Sequence, residues 1–302
     1  MLTTQQIERY REHGYLVVPG VLARDDVDEL RAATEALLEG ARAVTSHTDV
    51  YDLEDGHTPA SPRVRRIKTP HRWHPAYARV VRQPGILACL RALWGPNIRF
   101  DTSKLNVKDA AYGSPVEWHQ DWAFYPHTND ELAAVGIMLD DVGPDNGPML
   151  VIPGSHRGPI YDHHDASGRF CGAIDVARAR LDVERAVPCT GPAGSVSIHH
   201  VRAVHGSAPN TSSRPRRLLL HQYRAADAWP LVHRPDTWEA YTSLLVSGEE
   251  TLEPRLTPVP VRLPFPPAEH QGSIYENQRT LDRRYFADAL AGASRTPAPP
   301  AP

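Results

Sequence analysis

The chain has 302 residues, 41% of them hydrophobic and 23% charged, enough length and apolar content for a folded protein with a substantial core. A formal net charge of −3 leaves no electrostatic footprint for nucleic acid or an anionic membrane surface, and the arginine clusters Arg63–Arg66 and Arg214–Arg217 are each interrupted by proline or an apolar residue. The N-terminus is too polar for a signal peptide, no apolar run approaches the roughly 20 residues of a bilayer span, and three scattered cysteines (Cys89, Cys171, Cys189) argue against a disulfide framework, so a cytoplasmic protein free of membranes is expected.

Thr3-x-x-Gln6 has the pattern of a capping box and predicts a helix from Gln5 to about His13, closed by Gly14. Tyr15–Val18 follows as a strand. A second helix is predicted from about Asp25, with Val27, Leu30, Leu37 and Leu38 on one face. Residues 40–62 lack periodicity and suggest a long surface loop that could close over a site as a lid. A further helix is predicted over 76–94. From residue 98 the pattern changes to short strands, predicted at 98–107, 116–124, 135–139, 149–152, 195–199 and 217–223, with Asp145-Asn146-Gly147 as a hairpin signal. Helices followed by many short strands suggest a β-sandwich or jelly roll with helices packed outside. The Ala/Pro-rich stretch 293–302 is expected to be a disordered tail.

Sixteen histidines invite a search for a metal site. Trp118-His119-Gln120-Asp121 falls in a predicted strand, where residues i and i+2 point to one side, so His119 and Asp121 are expected to project together. Two histidines and one carboxylate can occupy one face of an octahedral iron(II) and leave three positions open, which suits an oxygenase that binds a 2-oxo acid and O2. His-x-Asp also occurs at His47/Asp49 and His163/Asp165, but only the pair at 119 and 121 lies in an aromatic, strand-like context. His205, in Val204-His205-Gly206-Ser207, is the expected third donor, with His199 and His200 as alternatives. Arg216 follows eleven residues later at the head of an apolar strand. An arginine offers planar N–H pairs to a carboxylate where a lysine cannot. Arg214, Arg216 and Arg217 compete for that role, and adjacent strand residues face opposite sides, so Arg216 and Arg217 cannot both point inward.

His119-x-Asp121, Val151-Ile-Pro-Gly-Ser-His156 and His205-Gly-Ser with Arg216, in that order and at those distances, resemble the phytanoyl-CoA dioxygenase family of iron(II)/2-oxoglutarate oxygenases. The likeness covers roughly residues 3–224. It implies an α+β, mainly β fold, a double-stranded β-helix (jelly roll, cupin-like) with flanking N-terminal helices. One domain over 1–292 would comprise a helical N-terminal region over 1–97, a β core over 98–224 and an extension over 225–292. The resemblance further implies Fe(2+) held by His119, Asp121 and His205, with 2-oxoglutarate paired to Arg216 and O2 as the oxidant. Asn106 would touch the co-substrate, Thr102 and Lys104 would line the co-substrate or substrate side, and Lys68 would make a further co-substrate contact. Halogenases of this superfamily carry a small residue in place of the aspartate, so Asp121 points to hydroxylation or a related oxidation of a small-molecule metabolite. Trp122, Phe124 and Tyr125 could wall its pocket. The rival readings are a zinc- or manganese-dependent cupin-type isomerase or hydrolase, which has no need of Arg216, and a jelly-roll binding protein without catalysis.

Overall fold

The computed structural model describes residues 2–281 and 283–286, so the predicted tail 293–302 lies outside the described residues. The N-terminal capping box forms: the Thr3 hydroxyl accepts from the Gln6 N–H, and the Gln6 amide oxygen accepts from the Thr3 N–H. It opens α1 (Thr4–His13), which ends at Gly14 in the left-handed conformation with φ 75°. β1 (Tyr15–Val18) and α2 (Arg24–Gly40) follow. β2 (Tyr51–Leu53) and β3 (Val64–Lys68) come next. The helix predicted over 76–94 is two helices, α3 (Pro75–Val80) and α4 (Pro84–Trp94). Pro84 cannot donate a helical hydrogen bond, and the Gln83 side chain instead caps the second helix by accepting from the Ile86 N–H.

The strands from β4 onward divide between two antiparallel sheets. β4 (Ile98–Lys108), β6 (Leu132–Met138), β9 (Val196–His200) and β11 (Arg216–Ala225) enter the larger, and β5 (Val116–His119), β7 (Met149–Val151), β8 (Val187–Cys189) and β10 (His205–Ser207) form the smaller. The larger sheet runs β1-β9-β6-β11-β4-β3-β2, and the smaller runs β5-β10-β7-β8. Short helices α5 (Val176–Ala179), α6 (Trp238–Thr242) and α7 (Ile274–Asn277) and the short strand β12 (Leu245–Ser247) complete the described elements. The Asp145-Asn146-Gly147 turn is not a hairpin. It lies between β6 and β7, which belong to different sheets, and the buried Asn146 side chain folds it back by accepting from the Gly143 N–H and donating to the Asp141 carbonyl.

The period-two alternation of the large sheet separates a greasy face from a chemical one. Leu105, Val107, Val135, Ile137, Val196, Ile198 and Leu219 join Leu30, Ile86 and Leu90 of the helices in the main apolar core. Their strand neighbours Lys104, Asn106, Ala134, His199, Arg216 and Leu218 face the other way, into a cavity between the two sheets. The inner face is close-packed: a Cβ on Gly136 would lie 2.6 Å from the Ser197 hydroxyl. None of the helices among the described residues is long and apolar enough to cross a membrane.

Candidate active site

His119 ends β5 and His205 begins β10, and the two are paired across the small sheet. Their imidazole centroids stand 4.1 Å apart. Asp121 does not continue the strand predicted over 116–124. β5 stops at His119, and Asp121 opens a 3-10 turn through Ala123. Gln120 enforces the break, because its side chain donates to the carbonyls of Pro159 and Arg202 and its N–H donates to His163 Nε2. The turn still brings an Asp121 carboxylate oxygen to 3.8 Å from His119 Nε2. His119, Asp121 and His205, all buried, offer ligand atoms within 4.8 Å of one another, a set that could hold a metal ion.

Hydrogen bonding selects which nitrogen each imidazole offers. His119 Nδ1–H donates to the Glu117 carbonyl at 2.8 Å and His205 Nδ1–H to the Ala203 carbonyl at 3.0 Å, so both Nε2 lone pairs remain for a ligand. Burial holds the His119 pKa down to about 4 and that of His205 well below its ordinary value, which keeps both rings neutral and able to coordinate. Burial pushes Asp121 the opposite way. The neighbouring His199 imidazole and the positive charge of Lys104 outweigh it, so the carboxyl stays well below the usual carboxylate range and remains an anion. His199 Nε2 lies 3.5 Å from the second carboxylate oxygen.

Arg216 closes the far end of the same cavity. Its Nε and Nη2 donate to the Gly147 carbonyl at 3.1 and 2.7 Å, while Nη1 is buried with no partner. A buried guanidinium N–H without an acceptor is costly unless a ligand supplies one. Gly147 cannot carry a side chain in this role: its φ is 71°, and a Cβ would lie 2.8 Å from the Ala208 carbonyl oxygen. Between Arg216 and the three candidate donors the walls are Asn106, Ser207 and the apolar Val116, Met149, Leu218 and Leu220. The alternation along β11 turns Arg217 outward to the carboxylates of Asp140 and Glu35, and Arg214 is half-exposed beside Asp145.

The sequence profile described as Phytanoyl-CoA dioxygenase matches residues 10–218, well over half of the chain and inclusive of all three donors and Arg216. The chain belongs to the phytanoyl-CoA dioxygenase family. A relative from Stutzerimonas stutzeri named a probable alpha-ketoglutarate-dependent hypophosphite dioxygenase is 40% identical, over 95% of this chain and 100% of its own length. L-proline trans-4-hydroxylase of Streptomyces griseoviridis is 31% identical, over 74% of this chain and 86% of its own. Among solved structures, EctD from S. alaskensis with bound iron superposes with a TM-score of 0.64 at 26% identity, covering 78% of this chain and 82% of that one.

Within this family member, the site draws on some of the expected residues and not on others. Asn106 and Lys104 line the cavity from β4. Thr102 does not line it, and Lys68 is turned away, its ammonium 3.4 Å from the Asp52 carboxylate. Asp52 sits on β2, within the stretch expected to be an irregular lid. None of residues 40–62 lines the cavity or its mouth. The mouth is instead walled by Phe124, Tyr125 and Phe170 and by Ile274 of α7, in the extension to which no motif attached. Trp122 does not wall it, being buried with its indole N–H on the Pro260 carbonyl. Of the rival histidines, His199 faces the site while His200 packs 6.5 Å from the Tyr10 ring. Arg66 is the residue sequence reasoning passed over: it lines both cavity and mouth, and its only sequence signal is its position in the mixed run Val64-Arg-Arg-Ile67.

Proposed function

We propose that His119, Asp121 and His205 hold iron(II), and that Arg216, with Asn106 beside it, anchors 2-oxoglutarate in the cavity between the sheets. The protein is an iron(II)- and 2-oxoglutarate-dependent dioxygenase that oxidises a small molecule. The observation that carries the residue assignments is the meeting, in one enclosed cavity, of a His-Asp-His donor set with an unpartnered guanidinium nitrogen at its far end. We read the two sheets as a double-stranded β-helix and residues 1–292 as one oxygenase domain, a reading supported by the way strands β4 to β11 divide four and four between the sheets.

Two imidazoles and a carboxylate suit iron(II), and the donor set here is prepared for it. The backbone carbonyls of Glu117 and Ala203 fix the histidine tautomers, and His199 engages one carboxylate oxygen so that the other is turned toward His119. With iron and 2-oxoglutarate bound, the pair supplies O2 activation, one oxygen atom leaving in succinate and the other passing to the substrate as CO2 is released. Val116, Met149, Leu218 and Leu220 keep bulk water from the cavity, and Arg216 orients the co-substrate by pairing with its distal carboxylate.

Hypophosphite is the first substrate to try, because the relative named for it aligns along nearly the whole chain. The balanced reaction converts one P–H bond to P–OH, giving phosphite, succinate and CO2 from hypophosphite, 2-oxoglutarate and O2. The test begins with the metal-free protein under anaerobic conditions, titrated with iron(II) and then 2-oxoglutarate while the visible charge-transfer absorption is followed. O2 and hypophosphite are then added and succinate is quantified. A visible band that saturates with 2-oxoglutarate is the expected result. Its absence, with no O2-dependent succinate, overturns the assignment and favours a zinc or manganese isomerase or hydrolase.

A further inference from the structure

Two chambers meet at the metal donors. The inner one runs from His119, Asp121 and His205 to Arg216, and the outer one leads past Phe124, Tyr125 and Phe170 to the surface. Four residues line both: Arg66, Lys104, Asp121 and Ile274. They form the threshold between the co-substrate end and the exit. A substrate that enters by the outer chamber reaches the metal donors only across this threshold.

Lys104 projects from β4 on the same face as Asn106, and its ammonium has no hydrogen bond or ion pair among the described residues. Arg66 projects from β3, which pairs with β4 in the register Arg66↔Asn106. Its Nε donates to the Asn106 amide oxygen at 3.2 Å, and its guanidinium lies over the Tyr275 ring at 5.4 Å. Its two terminal nitrogens make no hydrogen bond among the described residues. The two cations are therefore fixed at their bases and free at their tips, the arrangement that binds an anion without further ordering.

Charge balance points the same way. Arg66, Lys104 and Arg216 are the cationic side chains lining the inner chamber, and Asp121 is the one carboxylate lining either chamber. Iron(II) adds two positive charges and 2-oxoglutarate two negative, so the loaded chamber keeps an excess of two positive charges. A substrate ammonium would find no carboxylate except Asp121, which is taken up by the metal. An anion relieves the excess.

We infer that Lys104 and Arg66 form a substrate subsite for a small oxyanion that carries the hydrogen to be replaced. This rests on the reading above, in which 2-oxoglutarate occupies the inner chamber against Arg216. The substrate class is a phosphorus oxyanion or carboxylate, which reaches the two cations past the apolar Phe124, Phe170 and Ile274 and the polar Tyr125, Gln271, Ser273 and Asn277.

The test uses the full chain loaded with iron(II) and 2-oxoglutarate under anaerobic conditions. Sodium hypophosphite, sodium phosphite, sodium acetate and neutral glycerol are added separately while the charge-transfer band is recorded, for the wild type, Lys104→Met, Lys104→Arg and Arg66→Gln. At least one anion, and not glycerol, is expected to perturb the wild-type band. Lys104→Met and Arg66→Gln should each weaken that response about 10- to 100-fold, the cost of one charge-assisted hydrogen bond, with 2-oxoglutarate affinity retained in Lys104→Met and Lys104→Arg restoring much of the response. If no anion perturbs the wild-type band, or the variants respond like the wild type, the subsite is wrong although the co-substrate reading stands. A Lys104→Met variant that loses 2-oxoglutarate affinity by the same factor makes Lys104 a co-substrate contact and also overturns it. A wild type with no band at all is failure of the reading beneath.

Discussion

Replacing Arg216 with lysine preserves the charge at the end of the inner chamber while removing the planar fork. The native guanidinium divides its donors: Nε and Nη2 hold the Gly147 carbonyl, and Nη1 is left for a ligand. A lysine ammonium is a single point at the end of a shorter reach, so it can meet the carbonyl or an incoming carboxylate but not both in this geometry. The loss is one charge-assisted hydrogen bond, about 1.5–3 kcal/mol, which corresponds to a Kd for 2-oxoglutarate weakened roughly 10- to 150-fold. Iron affinity should be unchanged, because the three metal donors lie on β5, the turn after it and β10, whereas Arg216 is on β11. The assay is an anaerobic titration of 2-oxoglutarate into the iron-loaded variant, read from the charge-transfer band, with iron binding measured separately. Unaltered 2-oxoglutarate affinity would refute the assignment of Nη1 to the co-substrate. A matching fall in iron affinity would refute it too, since the residue would then be acting through the fold of the centre.

His199→Leu removes the imidazole that engages the second oxygen of Asp121, and should weaken iron(II) or cobalt(II) affinity by about 10- to 100-fold, as loss of a partner behind a metal ligand does; His199→Gln should recover some of it in the same calorimetric titration. Glu54→Ala leaves the buried Arg65 without the carboxylate at 3.0 Å from its Nε and strips the acceptor from the Ser114 N–H and hydroxyl, so a loss of about 3–5 kcal/mol is expected in denaturant unfolding. Burial lowers the folded-state pKa of His127 to about 4 and of His221 to about 3, below an unfolded value near 6.5. Their contribution is therefore complete above pH 6.5 and is lost as pH falls toward those folded values, because the unfolded chain takes up the protons first. The Tm of the metal-free protein should drop between about pH 6.5 and 4, with a loss of about 3 kcal/mol per histidine; a flat profile over that window would show the rings are protonated in the fold.

The features of the structure legible in the sequence are those decided by neighbours along the chain. Thr3, Gln6 and Gly14 declare both ends of α1 through local hydrogen bonds and a local φ. Alternation along β11 separates Arg216 from Arg217, since only one of two adjacent residues can face the cavity. The donor chemistry of His119, Asp121 and His205 is likewise visible in residue type and order. What escaped depends on contacts from far along the chain. β5 ends at His119 because Gln120 is bound by the carbonyls of Pro159 and Arg202, which no periodicity in 116–124 can report. Lys68 is claimed by Asp52 on a strand of only three residues, too short to show a pattern. Arg66 belongs to a mixed run on a strand whose partner lies about forty residues away, and only the register with Asn106 shows which way it faces.

The same long-range contacts explain what residues 40–62 do if they do not close the site. Glu54 binds Arg65, Arg65 also donates to Glu276 at 3.2 Å, and Glu276 is further held by His47 at 3.4 Å and by Arg279 at 2.8 Å. These contacts fasten α7, so that Ile274 faces both chambers and the Tyr275 ring lies under the guanidinium groups of Arg65 and Arg66. The stretch expected to move is thus an anchor for the segment that caps the cavity. The three candidate metal donors and Arg216 lie within residues 10–218, where the family profile matches, but α7 lies beyond that span. The approach to the cavity is therefore shared between the two spans: Phe124, Tyr125 and Phe170 come from within the matched residues, and Ile274 from beyond them.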